Sequence, residues 1–318
     1  MKILVTGSSG FIGFHLVNKL LDLGHEVIGI DNHNEYYDSN LKKERNKISI
    51  KKNLRFLNMD LNDLCIQDDD FDLAINLAAQ AGVRVKKENE YLYKKTNIDG
   101  FQQLINQCIE KGIKKVIYAS SSSVYSDAEE AKFSEYSSIL KPKSLYGMSK
   151  LANEQIAEEA SKNHNISLIG LRFFSVYGPW GRPDMAYYLF TEKIKRNEEV
   201  TLFNRGKMLR DMTFIDDIIN GILASINLVL SNSNIKHELI NLGNDRPIST
   251  NKLLKTIEEN LMLKAIITFE NSTNEAFFTH ANIEKAKKTL AYKPKINFED
   301  GIKQFLDWHE QYTAKYKP

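Results

Sequence analysis

Tyr146 and Lys150 stand four residues apart in Tyr146-Gly-Met-Ser-Lys150, a spacing that puts a phenol and an ammonium on one face of a helix. A cation beside a phenol favours the phenolate and draws its pKa from about 10 toward neutrality, where it can take a proton from an alcohol. A change that large needs roughly 4 kcal/mol of differential interaction, and so a partly desolvated site. Tyr91 and Lys95 repeat the spacing, but only the pair near residue 146 follows a strand end rich in hydroxyls, Ser120-Ser-Ser-Ser-Val-Tyr125. A second group is Gly7, Gly10 and Gly13, which punctuate an apolar strand running into an apolar-periodic helix. Gly7 permits a tight turn, Gly10 lets backbone N–H groups approach a diphosphate, and Gly13 lets helix and strand pack closely, so the segment reads as a dinucleotide site. Asp31 ends the next strand, where a carboxylate accepts hydrogen bonds from the adenosine ribose and repels a 2′-phosphate. NAD is therefore expected rather than NADP.

These groups need a scaffold of alternating strands and helices, and the chain has one. Apolar runs at residues 2–6, 26–30, 54–57, 73–77, 115–119 and 167–171 read as buried parallel strands. Helical spacing covers residues 11–23, closed by Gly24, and then 97–111 and 146–163. The pattern predicts an α/β fold, a doubly wound (Rossmann) parallel sheet with a smaller C-terminal α/β substrate-binding lobe. Residues 1–170 form the NAD-binding domain in this reading, and 171–318 mainly the second lobe, with some segments returning to the first. Tyr177-Gly-Pro-Trp-Gly-Arg-Pro183 has turn chemistry and marks the passage between them.

A net charge of +2 over 318 residues gives no reason to expect nucleic acid or an anionic membrane as partner. The first strand begins at residue 2 and no run is long enough for a membrane span, so a cytoplasmic protein is expected. Lys42-Lys43 and Lys51-Lys52 read as solvated faces or loops, and Cys65 and Cys108 as reduced, half-buried thiols. The seven histidines form no pair at metal-ligand spacing on a helix face, and no metal is expected.

The glycine turn, the strand-end serines and the Tyr/Lys pair together resemble the extended short-chain dehydrogenase/reductase superfamily. That resemblance implies Tyr146 as general base, Lys150 as holder of the cofactor ribose, and Ser121 as a bridge to the reacting oxygen. It lines the cofactor with Gly7, Gly10, Phe11, Ile12, Gly13, Asp31, Asp60, Leu61, Leu77, Ala78 and Ala79, and makes Asn97 an internal hydrogen bonder. Three further blocks are similar to UDP-glucuronate 4-epimerases: Ala78-Ala-Gln-Ala-Gly-Val-Arg84, Arg172-Phe-Phe-Ser-Val-Tyr-Gly-Pro-Trp-Gly-Arg-Pro-Asp-Met185, and Arg210-Asp-Met-Thr-Phe-Ile-Asp-Asp217. The resemblance implies tightly bound NAD, a UDP-linked sugar substrate and a homodimer formed through helices 97–111 and 146–163. In bacteria it also implies a supply of sugar for capsule or lipopolysaccharide. By the same analogy Arg210 pairs with the substrate diphosphate, Arg84 joins the substrate set, and Arg182, Ser122, Ser123 and Ser175 grip a sugar carboxylate. Pairing of Arg182 with Asp184 is the competing reading of that arginine.

Similar 4,6-dehydratases carry an Asp-Glu pair where Ser122 and Ser123 stand, and similar decarboxylases carry a Glu in that cluster. Serines are poor proton donors near neutral pH, so the cluster argues against both activities. The sequence departs from the resemblance at Asn76, Val85 and Ser126, and at residues 273–280, where the epimerases have Pro-Gly-Asp. That last departure leaves open a modified uronate, another nucleotide, or a neutral or N-acetylated UDP-hexose, and an oxidoreductase that releases NADH would use the same Tyr/Lys/Ser set with an exchangeable cofactor.

Overall fold

β-Branched and leucine-rich runs form the strands, and alternate residues along each run face opposite layers, so both sheet faces are buried. The computed structural model describes residues 1–316 except 68–69, 84–86, 126–131, 138–139, 233 and 272–275. Strands β1 (Lys2–Thr6), β2 (Glu26–Asp31), β3 (Arg55–Asn58), β4 (Leu73–Asn76), β5 (Lys115–Ser121) and β6 (Ser167–Phe173) are followed by β7 (Ser175–Tyr177), β8 (Glu199–Phe203) and β9 (Leu209–Phe214). The last three are β10 (His237–Leu242), β11 (Pro247–Ser249) and β12 (Ile266–Glu270). Seven strands form one parallel sheet in the order β3-β2-β1-β4-β5-β6-β10. Strand order reverses between β1 and β4, which opens a crevice beyond their carboxyl ends.

Helices α1 (Phe11–Asp22), α2 (Ser39–Lys51), α3 (Gly100–Glu110) and α4 (Leu145–Asn163) belong to this half, and a π-helical stretch, Tyr93–Asp99, leads into α3. Later come α5 (Ala186–Lys195), α6 (Ile215–Ser231), α7 (Thr250–Leu261), α8 (Glu284–Leu290) and α9 (Phe298–Tyr316). Ile3, Val5, Leu73, Ile75 and Ile117 face one apolar cluster, shared with α1 and α6. Leu4, Ala74, Val116 and Tyr118 face the other, shared with α3 and α4.

Two small sheets stand outside the large one: β7-β9-β11, and β8 paired with β12. An aromatic cluster ties α5 and α9 together, with Tyr187 edge-on to Phe305 at 4.7 Å between ring centres. Trp308 stacks on Tyr312 at 5.2 Å and lies 5.3 Å from Trp180, so Phe305 and Trp308 are packing residues.

Two expectations change. Lys42 is buried, whereas Lys43, Lys51 and Lys52 are exposed. The inward face of α2 is polar, made of Lys42, Arg45, Asn46 and Ser49 beside Leu41, because backbone carbonyls and polar side chains line the seam it packs into. Neither cysteine is half-buried: Cys65 is exposed, and Cys108 is fully buried in the α3 core, which pushes its thiol up to about 12.

Candidate active site

β5 carries the serine run to the carboxyl edge of the sheet. Ser121 Oγ accepts from the Ser123 backbone N–H at 3.1 Å and so caps the short turn Ser122–Val124. α4 begins opposite, with Ser144 Oγ accepting from the Gly147 N–H at 3.1 Å. The helix lies so close to the serines that a Cβ on Gly147 would sit 2.3 Å from the Ser123 carbonyl oxygen. Tyr146 and Ser121 are thereby brought together.

Lys150 is buried below them, its Nζ 5.9 Å from the Tyr146 ring centre and donating to the Ala119 carbonyl at 2.8 Å. Burial lowers the Lys150 pKa to about 8, opposed by the Glu154 charge. Burial raises the Tyr146 phenol above its ordinary value, outweighing the Arg182 charge and the hydrogen bond with Ser121. The expectation that Lys150 draws this phenol toward neutrality is therefore not met by the chain's own groups. The ammonium is committed to Ala119, and the cation acting on the phenol is Arg182.

The glycine turn lies at the β1/β4 switch point. Gly7 has φ +70°, and a Cβ there would meet the Ala78 nitrogen at 2.6 Å. A Cβ on Gly13 would lie 2.0 Å from the Gly7 carbonyl oxygen. Gly10 caps α1 with no side chain, leaving the helix N-terminus to an anion. Asp31 accepts from the Ser9 N–H at 3.1 Å and the His33 N–H at 2.9 Å. Phe11, Ile12, Leu61, Leu77, Ala78 and Ala79 line the same cleft, of about 780 Å³. Asp60 is not among the residues lining the cleft; it accepts from the Asn62 N–H at 3.0 Å and Asn32 Nδ2 at 3.1 Å. A turn with no room for side chains, a helix N-terminus and a ribose-side carboxylate fit a dinucleotide.

Ser122, Ser123, Ser175, Arg182 and Arg210 line the cleft beyond the serine cluster, while Arg84 falls outside the described residues. Arg182 grips Asp184 with two bonds, Nε to Oδ1 at 3.0 Å and Nη2 to Oδ2 at 2.5 Å, and Tyr36 Oη donates to the same carboxylate at 3.0 Å. The competing reading of Arg182 thus holds for two of its five N–H donors. Arg210 Nη1 donates to the Leu209 carbonyl at 3.0 Å. Among the described lining residues are six Lys and Arg side chains but only two carboxylates, Asp31 and Asp184, a balance suited to anionic ligands.

Sequence reasoning missed the layer beneath. Arg172 donates from Nε and Nη2 to Glu154 at 2.8 and 2.7 Å, and from Nη1 to Tyr125 Oη at 2.8 Å. Tyr125 donates to Asn241 Oδ1 at 2.7 Å, and Ser120 donates to Glu154 at 2.5 Å. This buried network joins β5, α4, β6 and β10 directly under the Tyr/Lys pair. The position of Glu154, four residues after Lys150 on the same helix face, was the available signal. Asn97 is an internal bonder, accepting from the Gln80 N–H at 2.7 Å and donating to Ser149 Oγ at 2.9 Å.

Comparison with known proteins agrees with this geometry. An uncharacterized protein of Methanocaldococcus jannaschii, MJ1055, is 41% identical over 316 residues, covering 96% of this chain and 95% of its own length. UDP-glucuronate 4-epimerase 4 of Arabidopsis thaliana is 38% identical, covering 99% of this chain and 76% of its own. The crystal structure of UDP-glucuronic acid 4-epimerase from Bacillus cereus, in complex with UDP-glucuronic acid and NAD, superposes with a TM-score of 0.90 at 33% identity, over 98% of this chain and all of that one. The model of the NAD dependent epimerase/dehydratase family matches residues 3–243, and the chain belongs to that family.

Proposed function

We propose that this chain is an NAD-dependent nucleotide-sugar 4-epimerase that interconverts UDP-glucuronate and UDP-galacturonate through a 4-keto intermediate. The observation that carries the reading is one cleft in which the Tyr146 phenol and Ser121 hydroxyl lie between a dinucleotide turn and the Arg182 guanidinium. Likeness to the Bacillus cereus and Arabidopsis epimerases supports it.

Bound NAD supplies a reversible acceptor for the hydride on carbon 4 of the sugar. Gly7, Gly10, Phe11, Ile12 and Gly13 hold its diphosphate turn, Asp31 the adenosine ribose, Asp60 and Leu61 the adenine side, and Leu77, Ala78 and Ala79 its length. Lys150 holds the second ribose. Tyr146, as phenolate, takes the proton of the sugar 4-hydroxyl and returns it once the intermediate has turned over about its diphosphate linkage. Ser121 hydrogen-bonds the reacting oxygen throughout. Arg182, Ser122, Ser123 and Ser175 hold the carboxylate, and Arg210 the substrate diphosphate, with Arg84 a further substrate cation. Oxidation at carbon 4 makes a β-keto acid, which loses carbon dioxide when its carboxylate can align with the ketone. Holding the carboxylate out of that alignment protects the intermediate.

The reading includes a cytoplasmic homodimer joined through α3 and α4. Exposed Leu145 and Met148 at the start of α4, with Tyr91 near the π-helical stretch, support apolar contact there. Light scattering at micromolar concentration checks the dimer. No helix among the described residues is long and apolar enough to cross a membrane.

Incubation with UDP-glucuronate and no added NAD, followed by proton NMR of the anomeric signals and by absorbance of NADH, tests the activity. UDP-galacturonate should appear without net NADH. No product from UDP-glucuronate, even with NAD supplied, refutes the substrate assignment, and net NADH refutes the redox-neutral cycle.

A further inference from the structure

Arg45 lies on the inward face of α2 with no exposed surface. Its Nη1 donates to the Ser9 carbonyl at 3.1 Å and to Tyr37 Oη at 2.7 Å. Its Nη2 donates to the Trp180 carbonyl at 2.5 Å and the Gly181 carbonyl at 3.1 Å, and Nε has no partner. Among the described residues its acceptors are all neutral. A buried guanidinium is costly without a carboxylate, so a purely structural tie of this kind is a poor use of a charge.

The acceptors show what the side chain joins. Ser9 belongs to the glycine turn, and Trp180 and Gly181 immediately precede Arg182. His15 on α1 adds a third tie, its Nε2 2.9 Å from the Pro179 carbonyl oxygen. Burial lowers the His15 pKa to about 4, so the ring is neutral near pH 7 and its Nε2–H donates. Trp180 has φ +59°, a left-handed conformation that a bulky residue keeps only when its surroundings hold it. Three hydrogen bonds from α1 and α2 to consecutive carbonyls are that hold.

We propose that Arg45 is a positioning residue for Arg182: it clamps the 179–181 turn onto the dinucleotide turn and so fixes the direction from which Arg182 meets the substrate carboxylate. The inference rests on the uronate reading given above. A planar fork is required, since one ammonium cannot span carbonyls on two turns and a phenol at once. Arg45→Lys keeps the charge and loses the fork.

The test is calorimetric binding of UDP-glucuronate and UDP-glucose to NAD-loaded protein in a Tyr146→Phe background, where neither sugar turns over, with and without Arg45→Lys. Loss of aligned carboxylate bonding should weaken UDP-glucuronate about tenfold and UDP-glucose less than about twofold, with NAD content unchanged. A general fold defect would weaken both sugars alike, and that result, or no loss for either, overturns the proposal. A background protein that does not prefer the uronate refutes the substrate reading and the positioning role together. A preference that survives Arg45→Lys refutes the positioning role alone. Should Arg45→Lys fail to fold, His15→Phe decides: removing the Pro179 tie must cost UDP-glucuronate selectively, and an unchanged ratio overturns the proposal.

Discussion

Replacing Glu154 by glutamine should lower the melting temperature by several degrees. The carboxylate is 5% exposed and takes two bonds from Arg172, itself 1% exposed, and one from Ser120. Glutamine keeps the shape and one acceptor oxygen, but it turns an N–H₂ toward a guanidinium that is also a donor, and it removes the countercharge. Breaking one side of a buried pair costs about 3–5 kcal/mol, and the retained oxygen puts this change near the lower end, about 3 kcal/mol. Unfolding entropy of roughly 2.1 cal/mol/K per residue gives about 0.7 kcal/mol/K for 318 residues, so the shift should be about 4–5 °C. Differential scanning calorimetry of the NAD-loaded protein measures it. A shift under about 1 °C would show that the network relaxes around glutamine and would refute the pairing argument. The double variant with Arg172→Met should recover part of the loss, because it no longer leaves a lone buried charge.

Three further outcomes follow from the site. Lys150 keeps its ammonium below about pH 8 and loses it above, so kcat/KM should fall on the alkaline side near pH 8, and Lys150→Arg should remove that limb. Gly147→Ala places a methyl 2.3 Å from the Ser123 oxygen, so Tyr146 must move away from the serines; kcat should fall at least about tenfold while NAD content holds. Tyr146→Phe should cost about 10²–10⁴ in kcat with NAD affinity unchanged, measured by single-turnover assay and fluorescence titration, and an unchanged rate removes Tyr146 from the mechanism.

The parallel sheet was legible because both its faces are buried, which writes each strand as a short apolar run between helical segments. The glycine turn was legible because Gly7 and Gly13 answer local demands, a positive φ and a helix crossing its own turn within van der Waals reach. Lys42 and Arg45 were not legible, because a charged helix face ordinarily points to water; Lys42 turns back to Asn34 in the preceding loop, and three of the four Arg45 acceptors are backbone carbonyls distant in sequence. The resting ionisation of Tyr146 was not legible for a related reason: spacing puts Lys150 on the right face, but the Ala119 carbonyl that engages it lies on β5, distant in sequence. Arg182 and Asp184 show the converse, a pairing visible from two residues only two apart in the chain yet undecided until the geometry shows which donors it uses.

Selectivity among the reactions open to a 4-keto uronate follows from which proton carriers the cleft commits. Water elimination needs an acid and a base of its own beside the sugar, in addition to the phenol. Among the described residues, the two lining carboxylates are both engaged, Asp31 by two backbone N–H groups and Asp184 by Arg182 and Tyr36. Around Ser121 there remain hydroxyls, which orient oxygens without exchanging protons readily near neutral pH. Tyr146 is then the group suited to both proton steps, and its raised resting pKa favours the phenol, the form that returns a proton to the 4-keto oxygen. The forward step asks for the phenolate, so positive charge near the phenol must be strengthened in the loaded site. Lys150, its Nζ 5.9 Å from the phenol ring centre, would do so where a bound ribose drew the ammonium from Ala119 toward Tyr146. The pH limb assigned to Lys150 and the loss on Tyr146→Phe are thus two views of one balance, and a Tyr146→Phe enzyme whose residual rate kept its alkaline limb at a shifted pH would show the two groups titrating as a pair.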